Sequence, residues 1–126
     1  MQTFVTPQLA PAIGPYCHAA RTGNLLFVSG QVPVNQHGDV VGATMAEQTE
    51  QTLANLESIL AYCGLQWKDV VKTTVYISNM EAFTEMNAVY AQKFGDHKPA
   101  RACVEVSRLA KDMMVEIEAV AEYAKE

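Results

Sequence analysis

No apolar run in this 126-residue chain approaches the roughly 20 residues that a membrane-crossing helix requires. The opening, Met1 to Thr6, has neither a basic start nor an apolar segment, so no secretory leader is expected and a cytoplasmic location follows. Cysteine is scarce: Cys17, Cys63 and Cys103 are odd in number and widely spaced, without a CxxC or Cys/His ligand pattern. That excludes a disulfide framework and a zinc site as expectations and leaves reduced thiols. Positive charge is also sparse. Nine Lys and Arg face 14 Asp and Glu, giving a net charge of −5. The densest basic stretch, Lys93 to Arg101, holds three cations among acids and prolines. Phosphate backbones call for clustered cations, so nucleic acid is not the expected partner. There is no repeat, low-complexity tract or linker. With 49% hydrophobic and 18% charged residues, the chain reads as one globular domain, 1–126.

What remains is an alternation of strand-like and helix-like stretches. Gln2 to Thr6 is β-prone, and Pro7, Pro11, Gly14 and Pro15 then impose an irregular arm. Cys17–Arg21 and Leu25–Val32 read as a hairpin around Thr22-Gly23-Asn24, the second strand interrupted by Ser29-Gly30-Gln31. Thr44-Met45-Ala46-Glu47 matches a capping box. The helix it opens carries Met45, Thr49, Leu53, Leu56, Leu60 and Cys63 on one stripe, and Gly64 is placed to end it. Val70–Ile77 is the clearest strand. A second helix, about Met80 to Phe94, starts at Ser78 or Asn79 and sets Phe83, Met86, Tyr90 and Phe94 on one face. Arg101–Val106 and Val115–Ala121 alternate as the last two strands, and Ser107–Asp112 is long enough to join them as a wide hairpin. Two single-faced helices and a mixed sheet predict an α+β sandwich with both helices on one side. The other sheet face is then left for a second subunit to cover.

The final strands carry the chemistry. Arg101, Cys103 and Glu105 share one face, opposite Ala102, Val104 and Val106. The small apolar set suits packing beneath a helix, which predicts that Arg101 faces the neighbouring subunit. Glu116 and Glu118 share a face of the last strand. If the two strands pair, Arg101 and one of these carboxylates lie on a common surface. A guanidinium grips a carboxylate through two parallel hydrogen bonds, and a nearby Glu can orient or deprotonate water. On spacing alone, a structural ion pair is the commoner outcome. Cys103 reads as a wall residue before a nucleophile, because no His lies close in sequence. His18, His37 and His97 lack metal-like spacing and are expected in surface or turn roles. Tyr16, in its stiff Gly-Pro arm, suits a pocket wall or plain packing. Asn87, one turn after Phe83, suits a structural clamp.

Pro99-Ala100-Arg101-Ala102-Cys103-Val104-Glu105-Val106, with Val115-Glu116-Ile117-Glu118-Ala119, resembles the signature of the RidA/YjgF reactive intermediate deaminases. Ile13-Gly14-Pro15-Tyr16, Val28 to Pro33 and Val71 to Tyr76 match in order, so the resemblance spans essentially the whole chain. It implies a chorismate-mutase-like fold of the bacillus type: a six-stranded mixed sheet with two helices on one face, in a homotrimer with a central barrel and clefts between subunits. It implies hydrolysis of 2-iminobutanoate and 2-iminopropanoate, products of pyridoxal-phosphate enzymes, to 2-keto acids and ammonia. By the same resemblance Arg101 holds the substrate carboxylate, Glu116 positions water, and Cys103, Tyr16, Ser29 and Asn87 line the site. No metal or organic cofactor is implied. Ala110 stands where many relatives have Pro, and Gly95 to Lys98 is a short loop. The alternatives are a keto acid-binding regulatory trimer without turnover and an RNA-cleaving protein. The acidic pI of about 5.1 weighs against RNA.

Overall fold

The computed structural model describes residues 1–124. Six strands form one sheet: β1 (Gln2–Phe4), β2 (Ala19–Thr22), β3 (Leu25–Gln31), β4 (Val70–Ile77), β5 (Ala100–Glu105) and β6 (Val115–Glu122). Their spatial order is β1-β2-β3-β6-β4-β5. Every pair is antiparallel except β4 with β5, which run parallel. The mixed sheet is therefore as expected, but the closing hairpin is not. β6 inserts between β3 and β4, and β5 is left at the edge beyond β4. The cause is chain direction: α2 (Phe83–Phe94) returns the chain so that β5 enters parallel to β4. β6 can then gain two antiparallel partners in the sheet interior.

Helix α1 (Met45–Tyr62) starts as its sequence dictates. Thr44 accepts from the Glu47 amide, and the Glu47 carboxylate accepts from the Thr44 amide in return. The helix ends at Gly64, whose φ of 82° suits only a residue without a side chain. Asn79 opens a single 3-10 turn, Met80–Ala82, that leads into α2. Both helices lie on one side of the sheet. Leu53, Leu56 and Leu60 of α1 and Met86 and Tyr90 of α2 are buried, as are Leu26, Val75, Ile77, Val115 and Ile117 from the strands. These residues form one continuous core, the dominant favourable term in folding.

The opposite sheet face has no covering layer in the chain. Phe27 and Val104 are each more than two-fifths exposed there. Val104, expected beneath a helix, is on the open side, and its neighbours Arg101 and Cys103 are on the helix side. The register explains this. Arg101, Cys103 and Glu105 sit beside Thr73, Val75 and Ile77, which are the buried, helix-facing residues of β4. Period-two alternation separates the faces of a strand but does not say which one meets the helices.

Candidate active site

The chemically capable residues form two separate groups. The first lies between β5 and α2. The Arg101 guanidinium donates from Nη1 to Asn87 Oδ1 at 2.7 Å. It is stacked over the Tyr90 ring, 4.7 Å from the centroid, with the Phe83 ring at 5.6 Å. Asn87 and Tyr90 are spaced three apart on α2 and so project on one side, toward β5. Tyr90 is itself fixed by a 2.7 Å hydrogen bond between its hydroxyl and that of Thr73. Two aromatic faces and a neutral amide orient the guanidinium without cancelling its charge. Arg101 has no carboxylate partner among the described residues. A depression of about 290 Å³ adjoins it, bounded by Asn87, Tyr90, Phe94, Lys98 and Pro99.

Cys103, two residues on, packs against the core as a half-buried side chain. Burial pushes its thiol pKa up, against the pull of Arg101. A thiol so placed is a poor nucleophile, in keeping with its expected place in a wall.

The second group lies on the open face of the sheet. Glu116 of β6 points there, alternate to the buried Val115 and Ile117. Its carboxylate rests against Gly30 of β3: a Cβ added to Gly30 would overlap the carboxylate, with Glu116 Cδ only 2.9 Å away. β3 runs on through Ser29-Gly30 where an interruption was expected, but the β3–β6 register shifts between Val28 and Gln31, and this bulge at Gly30 makes room for an acidic side chain. Burial first, and the charge of Glu118 second, raise the Glu116 pKa. Glu118 is engaged elsewhere and accepts from the Tyr76 hydroxyl at 2.7 Å. Beside Glu116 is a cleft of about 220 Å³ bounded by Ile13, Tyr16, Gly30, Val34 and Lys111. Ser29, next to this cleft, donates its hydroxyl proton to the Cys17 carbonyl at 2.7 Å.

Arg101 and Glu116 therefore do not share a surface within one chain, contrary to the expectation from strand pairing. They occupy opposite faces of the sheet. β4 lies between them, with Thr73 beside Arg101 and Tyr76 beside Glu116. Arg101 and Asn87 come together, as do Glu116, Tyr16 and the Gly30 bulge of β3.

Sequence reasoning missed several participants. Gly30 was visible only as a strand interruption. The aromatic platform under Arg101 was assigned to the core, although Phe83 and Tyr90 flank Asn87 at helical spacing. His18 was expected at the surface or in a turn, yet it is 4% exposed. Its ring accepts from the Thr6 amide at Nδ1 and meets the Ala10 carbonyl at Nε2, so two backbone groups compensate for burying it. Lys111 and Asp112 adopt positive φ of 52° and 54° on the connection above the Glu116 cleft, where Lys111 Nζ donates to the Gly38 carbonyl. Among the described residues, no cluster of three or more His, Cys, Asp or Glu gathers in a way that could hold a metal ion.

Residues 7–123 match the family described as Endoribonuclease L-PSP. A RutC family protein of Pyrococcus horikoshii is 46% identical over 123 residues, covering 96% of this chain and 98% of that protein. The 2-iminobutanoate/2-iminopropanoate deaminase of Escherichia coli is 43% identical, with 95% and 96% covered. Among solved structures, the YjgF gene product of Escherichia coli superposes with a TM-score of 0.92 at 41% identity, covering 98% of this chain and all of that one. Escherichia coli TdcF with bound serine gives a TM-score of 0.92 at 38% identity, with the same coverage.

Proposed function

This chain belongs to the Endoribonuclease L-PSP family, which includes the RidA/YjgF proteins, and from that membership we propose that it is a cytoplasmic 2-iminobutanoate/2-iminopropanoate deaminase working as a homotrimer. The observation that carries the reading is the division of the site. A guanidinium with no acidic partner among the described residues lies on one face of the sheet, and a half-buried carboxyl group whose pKa is raised by burial borders a cleft on the other. Neither half suffices alone. A second copy that sets its Arg101 edge against the Glu116 cleft completes the site. The exposed Phe27 and Val104 are apolar surface that such packing would bury, lining the interior of a central barrel.

The chemistry needs little more than placement. Arg101 holds the carboxylate of the 2-imino acid through its fork, with Asn87 fixing the guanidinium plane. Glu116 of the adjoining chain holds a water against the imine carbon. Water adds to the C=N carbon, and Glu116 accepts one proton from that water and returns it to nitrogen. The hydroxyl proton of the resulting amino alcohol then passes through the same carboxylate to nitrogen, and the C–N bond breaks as the C=O bond forms, releasing ammonia and leaving the 2-keto acid. Tyr16, Ser29 and Cys103 complete the walls. An imine carbon is already electrophilic, so positioning and charge complementarity carry the rate.

The test couples the purified protein to a threonine dehydratase and follows 2-oxobutanoate release. The expected result is faster keto acid appearance than with the dehydratase alone. Arg101→Ala should return the rate to that baseline while light scattering reports an unchanged trimer mass. A mutant that keeps the wild-type rate removes Arg101 as the anchor.

A further inference from the structure

The segment from Thr6 to Cys17 forms one wall of the Glu116 cleft, with Pro11, Ile13 and Tyr16 against the space beside the carboxylate. It contains three prolines and no regular secondary structure. Such a wall has few backbone hydrogen bonds with which to hold itself. Within the arm, the Tyr16 amide donates to the Gly14 carbonyl and the Gln8 amide to the Thr6 hydroxyl, both local turns. Toward the rest of the chain, Ser58 reaches the Gln8 side chain at 3.3 Å. Ile13 is 91% exposed and Tyr16 53%, so packing does not fix the tip of the arm either.

The far end of the arm is tied by the Ser29 hydroxyl, which donates to the Cys17 carbonyl at 2.7 Å, and its first turn is tied at two points by His18. The histidine ring is buried where β2 begins, and its two nitrogens address two different points of the arm. The Thr6 N–H donates to Nδ1 at 2.9 Å. Nδ1 is therefore unprotonated, and the single ring proton lies on Nε2, which donates to the Ala10 carbonyl at 3.1 Å. The imidazole thus spans the first turn of the arm and sets where Pro11 to Tyr16 emerge over the cleft.

We propose that His18 is a positioning residue of the deaminase site: it locks the Thr6–Ala10 turn so that the Ile13–Tyr16 wall stands at the distance a small apolar substrate tail requires. This rests on the function proposed above. It adds that substrate affinity is controlled by a histidine at the back of the cleft, buried to 4% exposure, which acts through the arm that it holds. Because the wall contacts the non-reacting tail, its loss weakens ground state and transition state alike. Uniform binding of that kind appears in KM and not in kcat.

His18→Ala should raise KM for 2-iminobutanoate by about tenfold, the effect of losing one well-made contact surface, with kcat within about twofold of wild type. It should also speed hydrogen exchange at the Thr6 amide, which loses its only acceptor. Partial misfolding would do the reverse, lowering kcat with KM unchanged. His18→Gln keeps one carbonyl acceptor and one amide donor on a side chain of similar reach, and it should restore both KM and protection of Thr6. The proposal is overturned if His18→Ala leaves KM unchanged, if Thr6 exchange is unaffected, or if His18→Gln is as impaired as His18→Ala. A wild-type chain that hydrolyses no imine would sink the proposed function instead, and the exchange measurement would still decide whether the clamp exists.

Discussion

At Glu116 a carboxyl group is half-buried and a like charge is near. Burial and the Glu118 carboxylate both raise its pKa above the ordinary 4.5. In the proposed mechanism Glu116 receives a proton from water and so works ionised. The acid limb of kcat/KM should therefore lie above the ordinary carboxylate value, with activity rising as pH rises through it. Glu118→Gln removes one of the two causes and should shift that limb to lower pH. A limb that stays in place would show that Glu118 does not act on the site. The same shift has a consequence for folding. The folded chain binds this proton more tightly than the unfolded chain, so the group favours folding at acid pH, and that contribution is lost as pH rises through the folded-state value. Gly30 is the steric counterpart of this electrostatic tuning. A methyl group there collides with the tip of a flexible side chain and not with backbone, so the fold can accommodate it by moving the carboxylate. Gly30→Ala should keep the wild-type melting temperature within about 2 °C and lose about 10²-fold in kcat/KM, close to Glu116→Gln. A fully active Gly30→Ala enzyme would mean that the position of Glu116 does not matter.

Among the elements, α1 contributes more residues to the core than any other single one and is the most locally determined. Its capping box is complete on both sides, with Thr44 and Glu47 each accepting from the other's backbone amide. Thr44→Ala should cost about 1 kcal/mol, read as a fall of about 4 °C in melting temperature. No change would show that the cap contributes nothing beyond what water supplies. That helix was legible because its start, stripe and stop signals all lie within twenty residues of one another. The strand β4 was legible for the same reason: Val, Thr, Tyr and Ile side chains alternate across a half-buried surface. β5 was legible as a strand but not as a surface. Its apolar side, Ala102 and Val104, has the composition of a helix-facing side. The register instead puts Arg101 and Cys103 toward α2, where aromatic rings and an amide accept a guanidinium that a purely aliphatic core would not. The neighbours of β6 were illegible because pairing with β3 and β4 spans long stretches of chain, and no local residue encodes it. The candidate site followed the same division. Asn87 as a clamp was readable from local spacing, since it holds Arg101. The separation of Arg101 from Glu116, and the support from Gly30 and His18, depended on sheet order.

For the whole molecule, that separation makes a quantitative demand. If one chain contributes Arg101 and its neighbour Glu116, each cleft of a cyclic trimer draws its two groups from different polypeptides. Arg101→Ala and Glu116→Gln proteins should each be inactive alone, because every cleft lacks one group. When the two variants are co-expressed in equal amounts and assemble at random, a cleft is intact only where a chain with its Arg meets a chain with its Glu. Each condition holds half the time, so about a quarter of clefts recover both groups. Keto acid release should return to about a quarter of the wild-type rate per cleft. Mixing the two proteins after assembly should restore activity only as fast as subunits exchange. If the site lay within a single chain, no mixture could combine the intact halves, and activity would stay at baseline however the subunits were shuffled. The isolated fold already disfavours that outcome, since β4 and the plane of the sheet lie between the guanidinium and the carboxylate, and no side chain is long enough to pass through a hydrogen-bonded sheet.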